Sequence, residues 1–185
     1  YDTSVHDYGS SIRSLFGTSA SQARRERLQA LTGARYEFEP RPRADIEFVH
    51  VEPGKPAEVA GMTVTTMLQR HAGDSYGYRF EANGRTVIYT TDSEHQISDP
   101  VETESYVAFF RNADLVIFDA MYSLADAVSI RADWGHSSNV VAVELCQMAG
   151  VRHLCLFHHE PASDDKAIEA VLVDTRRLEE ITRTG

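Results

Sequence analysis

Residues 135–161 read GHSSNVVAVELCQMAGVRHLCLFHHEP: a histidine, a helix-like run, a short apolar strand and then His158-His159. Ser137 or Ser138 can start a helix on which Val140, Val141, Leu145 and Met148 fall roughly on one face, and Gly150 supplies its left-handed stop. HLCLF at 153–157 then reads as a buried strand. As a rigid spacer, this helix and strand would hold His136 and His158 at one end of a sheet. Taken one residue at a time, His136 instead caps the helix, and His158 and His159 merely end a strand at the surface. The rest of the chain has to decide.

Upstream, ADLVIFDA at 113–120 is a continuous apolar run, predicted as a strand buried on both faces. Before it, Asp99 can cap a helix, Pro100 suits its first position and Glu102 completes a capping-box-like pattern, with the helix running to about Arg111. DSYGYRFEANGRTVIYTTD at 74–92 holds two β-rich runs joined by Asn83-Gly84, the strongest short-range hairpin signal a sequence offers. AEVAGMTVTTMLQRH at 57–71 reads as two short strands about Gly61. DIEFVHV at 45–51 alternates well enough for a strand, with His50 exposed on it, before the turn EPGKP. Residues 1–44 are the least readable, with a helix suggested near 20–32. A final helix opens at Ser163-Asp164-Asp165 and places Ile168, Val171, Leu172, Thr175 and Leu178 at helical spacing.

Strands first, then alternating helix and strand, imply an α/β (α+β) protein with a mixed sheet and flanking helices. Residues 1–185 read as a single domain without internal repeats.

With 28 acidic against 18 basic residues, the formal charge of −10 opposes docking on a phosphate backbone. Nucleic acid is therefore a disfavoured partner, and ARRER at 23–27 reads as a solvated helix face. No apolar run approaches the roughly 20 residues a membrane helix needs, so no membrane partner is expected. Cys146 and Cys155 lie in apolar surroundings without C-x-x-C spacing. They read as small buried hydrophobes, and a cytoplasmic location follows as an expectation.

The polar residues fall at element ends. His71 follows one strand, Asp92 ends a second and His158 ends a third. Imidazole and carboxylate suit zinc, manganese or iron, and an aspartate can bridge two ions where a histidine cannot. Each residue has a plainer role open to it: a loop histidine, a turn cap, a satisfied strand end. Glu94, His95 and Tyr122 lie near the motif ends and could shape a pocket, and His159 reads as a supporting or surface group.

The segments QRHAGDSYGYRF, VIYTTDSEH, ADLVIFDAMYS and DWGHSSNVVAVELCQMAGVRHLCLFHHEP resemble, in this order, the later motifs of the metallo-β-lactamase superfamily, in its ribonuclease Z-like and phosphonate-pathway phosphodiesterase-like branch. The resemblance spans roughly residues 45–182. It implies a layered αβ/βα sandwich with a dinuclear metal site between its halves. His71 would bind the first ion, Asp92 would bridge both and His158 would bind the second. The ions would be zinc or manganese, with iron also compatible. His136 resembles the non-ligand histidine that faces the scissile phosphate and donates a hydrogen bond or proton.

The family's H-x-H-x-D-H element does not occur in this sequence. In the family it precedes the segment that carries His71, so the reading expects it upstream of Tyr1, making this an incomplete C-terminal portion. A degenerate relative that has lost catalysis is the alternative. With only two protein ligands left for each ion, occupancy of this chain alone would be weak, and association with another copy or a complementing fragment is expected. The resemblance implies a metal-dependent hydrolase of a small phosphodiester, a cyclic nucleotide among the candidates. A tRNA 3′-processing-type nuclease and a non-catalytic binding module of the same fold are the alternatives.

Overall fold

Asn83 and Gly84 both sit at positive φ, 51° and 69°, the conformation of a two-residue hairpin turn whose twist matches that of its flanking strands. In the computed structural model, which describes residues 48–122 and 135–183, this turn joins β3 (Ser75–Ala82) to β4 (Arg85–Tyr89). Ala60 and Gly61, at φ 50° and 79°, likewise join β1 (Ala57–Val59) to β2 (Met62–Gln69), as the sequence predicts. The helix suggested near 20–32 lies outside the described residues. The strand predicted over 45–51 is not formed at 48–51, where the chain has no regular structure and Phe48 is 89% exposed. His50 is exposed as predicted.

β5 (Leu115–Asp119) and β6 (Leu154–Phe157) complete a six-stranded sheet of order β1-β2-β3-β4-β5-β6. Pairing is antiparallel from β1 to β4 and parallel from β4 to β6. It follows that β2, β4, β5 and β6 all run in one direction, and their C-terminal ends share one edge of the sheet. α1 (Pro100–Phe110) lies between β4 and β5 in the chain, and α2 (Asn139–Met148) between β5 and β6; α3 (Asp165–Arg183) follows β6 and packs on α2. This is the mixed sheet with helices that the order of elements implies. No helix of the described residues is long and apolar enough to cross a membrane.

The caps explain where the helices begin. Asp99 accepts from the backbone N–H groups of Val101 and Glu102, at 2.9 and 3.2 Å, satisfying donors that the first turn leaves open. Glu102 does not reach back to close a capping box. Its carboxylate pairs with Arg70 at 2.8 Å. Of the two candidate serines, Ser138 is the N-cap of α2. Gly150, at φ 68°, ends it.

The core joins Ile88, Val116 and Phe118 of the sheet to Tyr106 and Phe110 of α1 and to Ala142, Leu145 and Cys146 of α2. Burial on β5 alternates, so the reading of that strand as buried on both faces is corrected. Val116 and Phe118 turn to the helices and are fully buried, while Leu115 and Ile117 on the other side are partly exposed. The buried stripe of α2 is also shifted from the predicted one. Ala142, Leu145, Cys146 and Ala149 recur at three- and four-residue spacing and are buried, whereas Met148 is 51% exposed.

Cys146 is buried, but Cys155 is exposed. Cys155 pairs in register with Ile117, on the side of the sheet away from α2, and β6 is the last strand. Its burial was not to be had from an apolar run alone. On α3, Thr175 is buried and Leu172 is 41% exposed, so the stripe facing α2 is narrower than its apolar spacing predicts.

Candidate metal centre

The shared sheet edge brings the predicted residues together. The ligand atoms of His71, Asp92 and His136 lie within 4.8 Å of one another, and so do those of Asp119, His136 and His158. The two groups overlap at His136. His71 and His136 meet edge-on with ring centroids 5.6 Å apart, and His136 stacks on His158 at 4.8 Å with 22° between the planes. His159, one residue on, belongs to neither group.

Each side chain has a local reason for its place. His71 comes just after β2, and its Nδ1 lies 3.1 Å from both the carbonyl oxygen and the N–H of Gly73. These contacts belong to different tautomers: with Nδ1 accepting the Gly73 N–H the ring proton sits on Nε2, and with Nδ1–H donating to the carbonyl Nε2 carries the lone pair. Gly135 lets the ring in. Its φ is 82°, and a Cβ there would stand 2.8 Å from Cδ2 of His71.

Asp92 follows Thr91, a β-branched residue at φ 56°. Such a residue reaches the left-handed region only when its neighbours over-determine it. They do. Ser75 Oγ donates to the Asp92 carbonyl at 2.6 Å, Thr91 Oγ1 donates to the Tyr76 carbonyl at 3.0 Å, and the Gln69 amide donates to the Thr90 carbonyl. His158 is itself left-handed, at φ 58°.

Asp119 joins the site without being among the residues expected there from sequence. It ends β5 at the same sheet edge and is fully buried. Its Oδ2 lies 2.8 Å from Nδ1 of His136 and accepts the Ser93 N–H at 3.0 Å, while Oδ1 accepts the Met121 N–H at 3.2 Å. Burial pushes its carboxyl above the usual carboxylate range, against the hydrogen bonds from Ser93 and His136. The signal was present in the sequence: an aspartate closing an apolar strand, the same feature that singles out Asp92.

The other residues near the motif ends divide. The Glu94 carboxylate accepts the Gly135 N–H at 3.1 Å. Tyr122 is buried, its ring 6.2 Å from His136. His95 is buried among Tyr106, Phe110 and Phe118, and desolvation pushes its imidazole down from 6.5 to about 3. It stays neutral.

This donor set fits divalent cations. Three imidazoles and two carboxylates converge on one space, a combination suited to zinc, manganese or iron. In addition, the Nδ1 atom of His158 is buried without a hydrogen-bond partner, 3.6 Å from Oδ1 of Asp119. A polar atom in that state costs about 1–3 kcal/mol unless something binds it.

A mixed sheet backed by helices, with histidines and aspartates at its C-terminal edge, defines a metallo-β-lactamase-type fold. Residues 17–159 match the family model described as the beta-lactamase superfamily domain, and the chain belongs to that superfamily. It is 29% identical over 108 residues to the Bacillus subtilis (strain 168) protein described as probable metallo-hydrolase YhfI, covering 58% of this chain and 40% of that protein. It is 25% identical over 99 residues to ribonuclease Z of Brevibacillus brevis, covering 51% of this chain and 29% of that one. The crystal structure of YhfI superposes with a TM-score of 0.58 at 23% identity, over 70% of this chain and 48% of that one. The chain thus spans less than half the length of these relatives.

Proposed function

We propose that the protein is a metal-dependent hydrolase of a small phosphodiester, a cyclic nucleotide being one substrate of that class. In this reading residues 1–185 belong to one metallo-β-lactamase-like domain. His71 would hold one divalent ion and His158 a second, with Asp92 shared between them. Zinc and manganese fit the donor types, and iron is compatible. When bound, such ions would lower the pKa of a water and offset the charge that develops on the phosphoryl oxygens.

The observation that carries the reading is the His136–Asp119 contact of 2.8 Å, set beside His71, Asp92 and His158. An ionised carboxylate only accepts hydrogen bonds, so Nδ1 of His136 keeps its proton and Nε2 is left for the substrate. In the imidazolium form the second ring proton sits on Nε2, on the side away from Asp119. His136 can then protonate the leaving oxygen or bind a phosphoryl oxygen. Asp119 orients the ring and balances its charge.

The test is hydrolysis of an aryl phosphodiester by the full-length protein loaded with zinc or manganese, abolished by Asp92→Ala. Absence of turnover by the metal-loaded protein overturns the reading. The match to a ribonuclease Z favours a second one, a tRNA 3′-processing nuclease. The net charge of −10 opposes it. Steep, salt-dependent RNA binding by the full-length protein would establish it.

A further inference from the structure

The loop after β4 is fastened to the loop before α2 by a closed set of hydrogen bonds between His95 and Ser137, which are 6% and 4% exposed. Ser137 Oγ donates to the Ser93 carbonyl at 2.8 Å. The same oxygen receives the His95 backbone N–H at 3.0 Å and lies 2.6 Å from Nδ1 of the His95 ring. A hydroxyl has one proton and two lone pairs. With that proton committed to Ser93, both contacts from His95 must be donations. The ring proton therefore sits on Nδ1, and Nε2 is left as an acceptor 3.4 Å from Ser93 Oγ.

The neighbours of this latch are the groups of the site. Ser137 adjoins His136 and Ser93 adjoins Asp92 in the chain, and the Ser93 N–H binds the same Asp119 oxygen that faces His136. Around the ring the walls are aromatic: Phe118 stacks on it at 4.7 Å with 26° between planes, and Tyr106 tilts against it at 4.2 Å. Within that apolar shell, the polar contacts of the ring run to Ser137 and Ser93.

We propose that His95 is a positioning residue: its Nδ1–H, acting through Ser137, holds His136 against Asp119 and at a fixed distance from Asp92. This rests on the reading of His136 and Asp92 as groups of the active centre. It predicts that the donor matters more than the ring. Phenylalanine keeps an aromatic ring between Phe118 and Tyr106 but brings no N–H. Asparagine loses the ring but carries an amide N–H close to the position of Nδ1.

The experiment compares the full-length protein with its His95→Phe and His95→Asn variants by two measurements. One is the downfield proton resonance of His136 Nδ1–H in the metal-free protein. The other is zinc affinity by calorimetric titration. His95→Phe is expected to lose or broaden the resonance and bind zinc about ten- to hundredfold more weakly, while His95→Asn keeps the resonance and stays within about threefold of wild type. The reverse order makes His95 a packing residue and overturns the proposal, as does equal behaviour of the two variants. Wild-type protein that shows the resonance but binds no zinc removes the metal-centre reading instead, and the resonance alone then decides the role of His95.

Discussion

Nδ1 of His136 lies 2.8 Å from Oδ2 of Asp119, and that carboxylate is fully buried at the end of β5. A charge kept out of water is costly unless it is paired. Here three hydrogen bonds meet it, from His136, Ser93 and Met121. The pairing is therefore specific rather than incidental. Asp119→Asn keeps the shape and removes the charge, so the phosphodiester turnover proposed for the full-length protein should fall about a hundredfold or more. Zinc affinity should change far less. Steady-state kinetics beside a zinc titration checks both.

Acid should unfold the protein partly through His95. Its folded value is pushed from 6.5 down to about 3, so between those limits the unfolded chain binds the proton and the folded one does not. Stability rises with pH in that window and is fully present above 6.5. The slope attributable to this group is about 1.4 kcal/mol per pH unit. Denaturant titrations between pH 4 and 7 should show a shallower loss in His95→Phe than in wild type.

Gly135 should not tolerate a side chain. In Gly135→Ala the new Cβ meets Cδ2 of His71 at 2.8 Å, on a backbone at φ 82°. The expected loss is about 1–3 kcal/mol in urea unfolding, with weaker zinc binding as His71 is pushed aside. Gly84→Ala is the control: it shares the positive φ, but nothing stands within 4 Å of the added carbon. It should lose stability through backbone strain while zinc affinity holds.

The two cysteines should react differently. Desolvation pushes the buried Cys146 thiol up to about 12, whereas Cys155 is exposed on β6. Thiolate is the reactive form. At pH 8 an alkylating reagent should modify Cys155 first and reach Cys146 only in denaturant, as read by mass spectrometry of the peptides.

Most of the described fold was legible because its signals are local. Asn83-Gly84 bends one hairpin, Asp99 and Ser138 cap two helices, and Gly150 stops one of them. His71, Asp92, His136 and His158 were legible for a related reason: each sits at the end of an element, and parallel strand directions carry those ends to one edge. The sequence by itself thus determined the elements and the chemistry available at their ends. Burial and partnership were decided only in three dimensions. Asp119 is fully buried and Cys155 exposed although both lie in apolar strands, because burial depends on which face α1 and α2 cover and on which strand comes last. From sequence, His95 reads only as a residue near a motif end that could shape a pocket. Tertiary packing closed Phe118 and Tyr106 around it and set Ser137, 42 positions along the chain, within 2.6 Å of its ring. Contacts between residues so far apart in sequence leave no periodicity or spacing to read, since they depend on how the whole sheet and its helices pack.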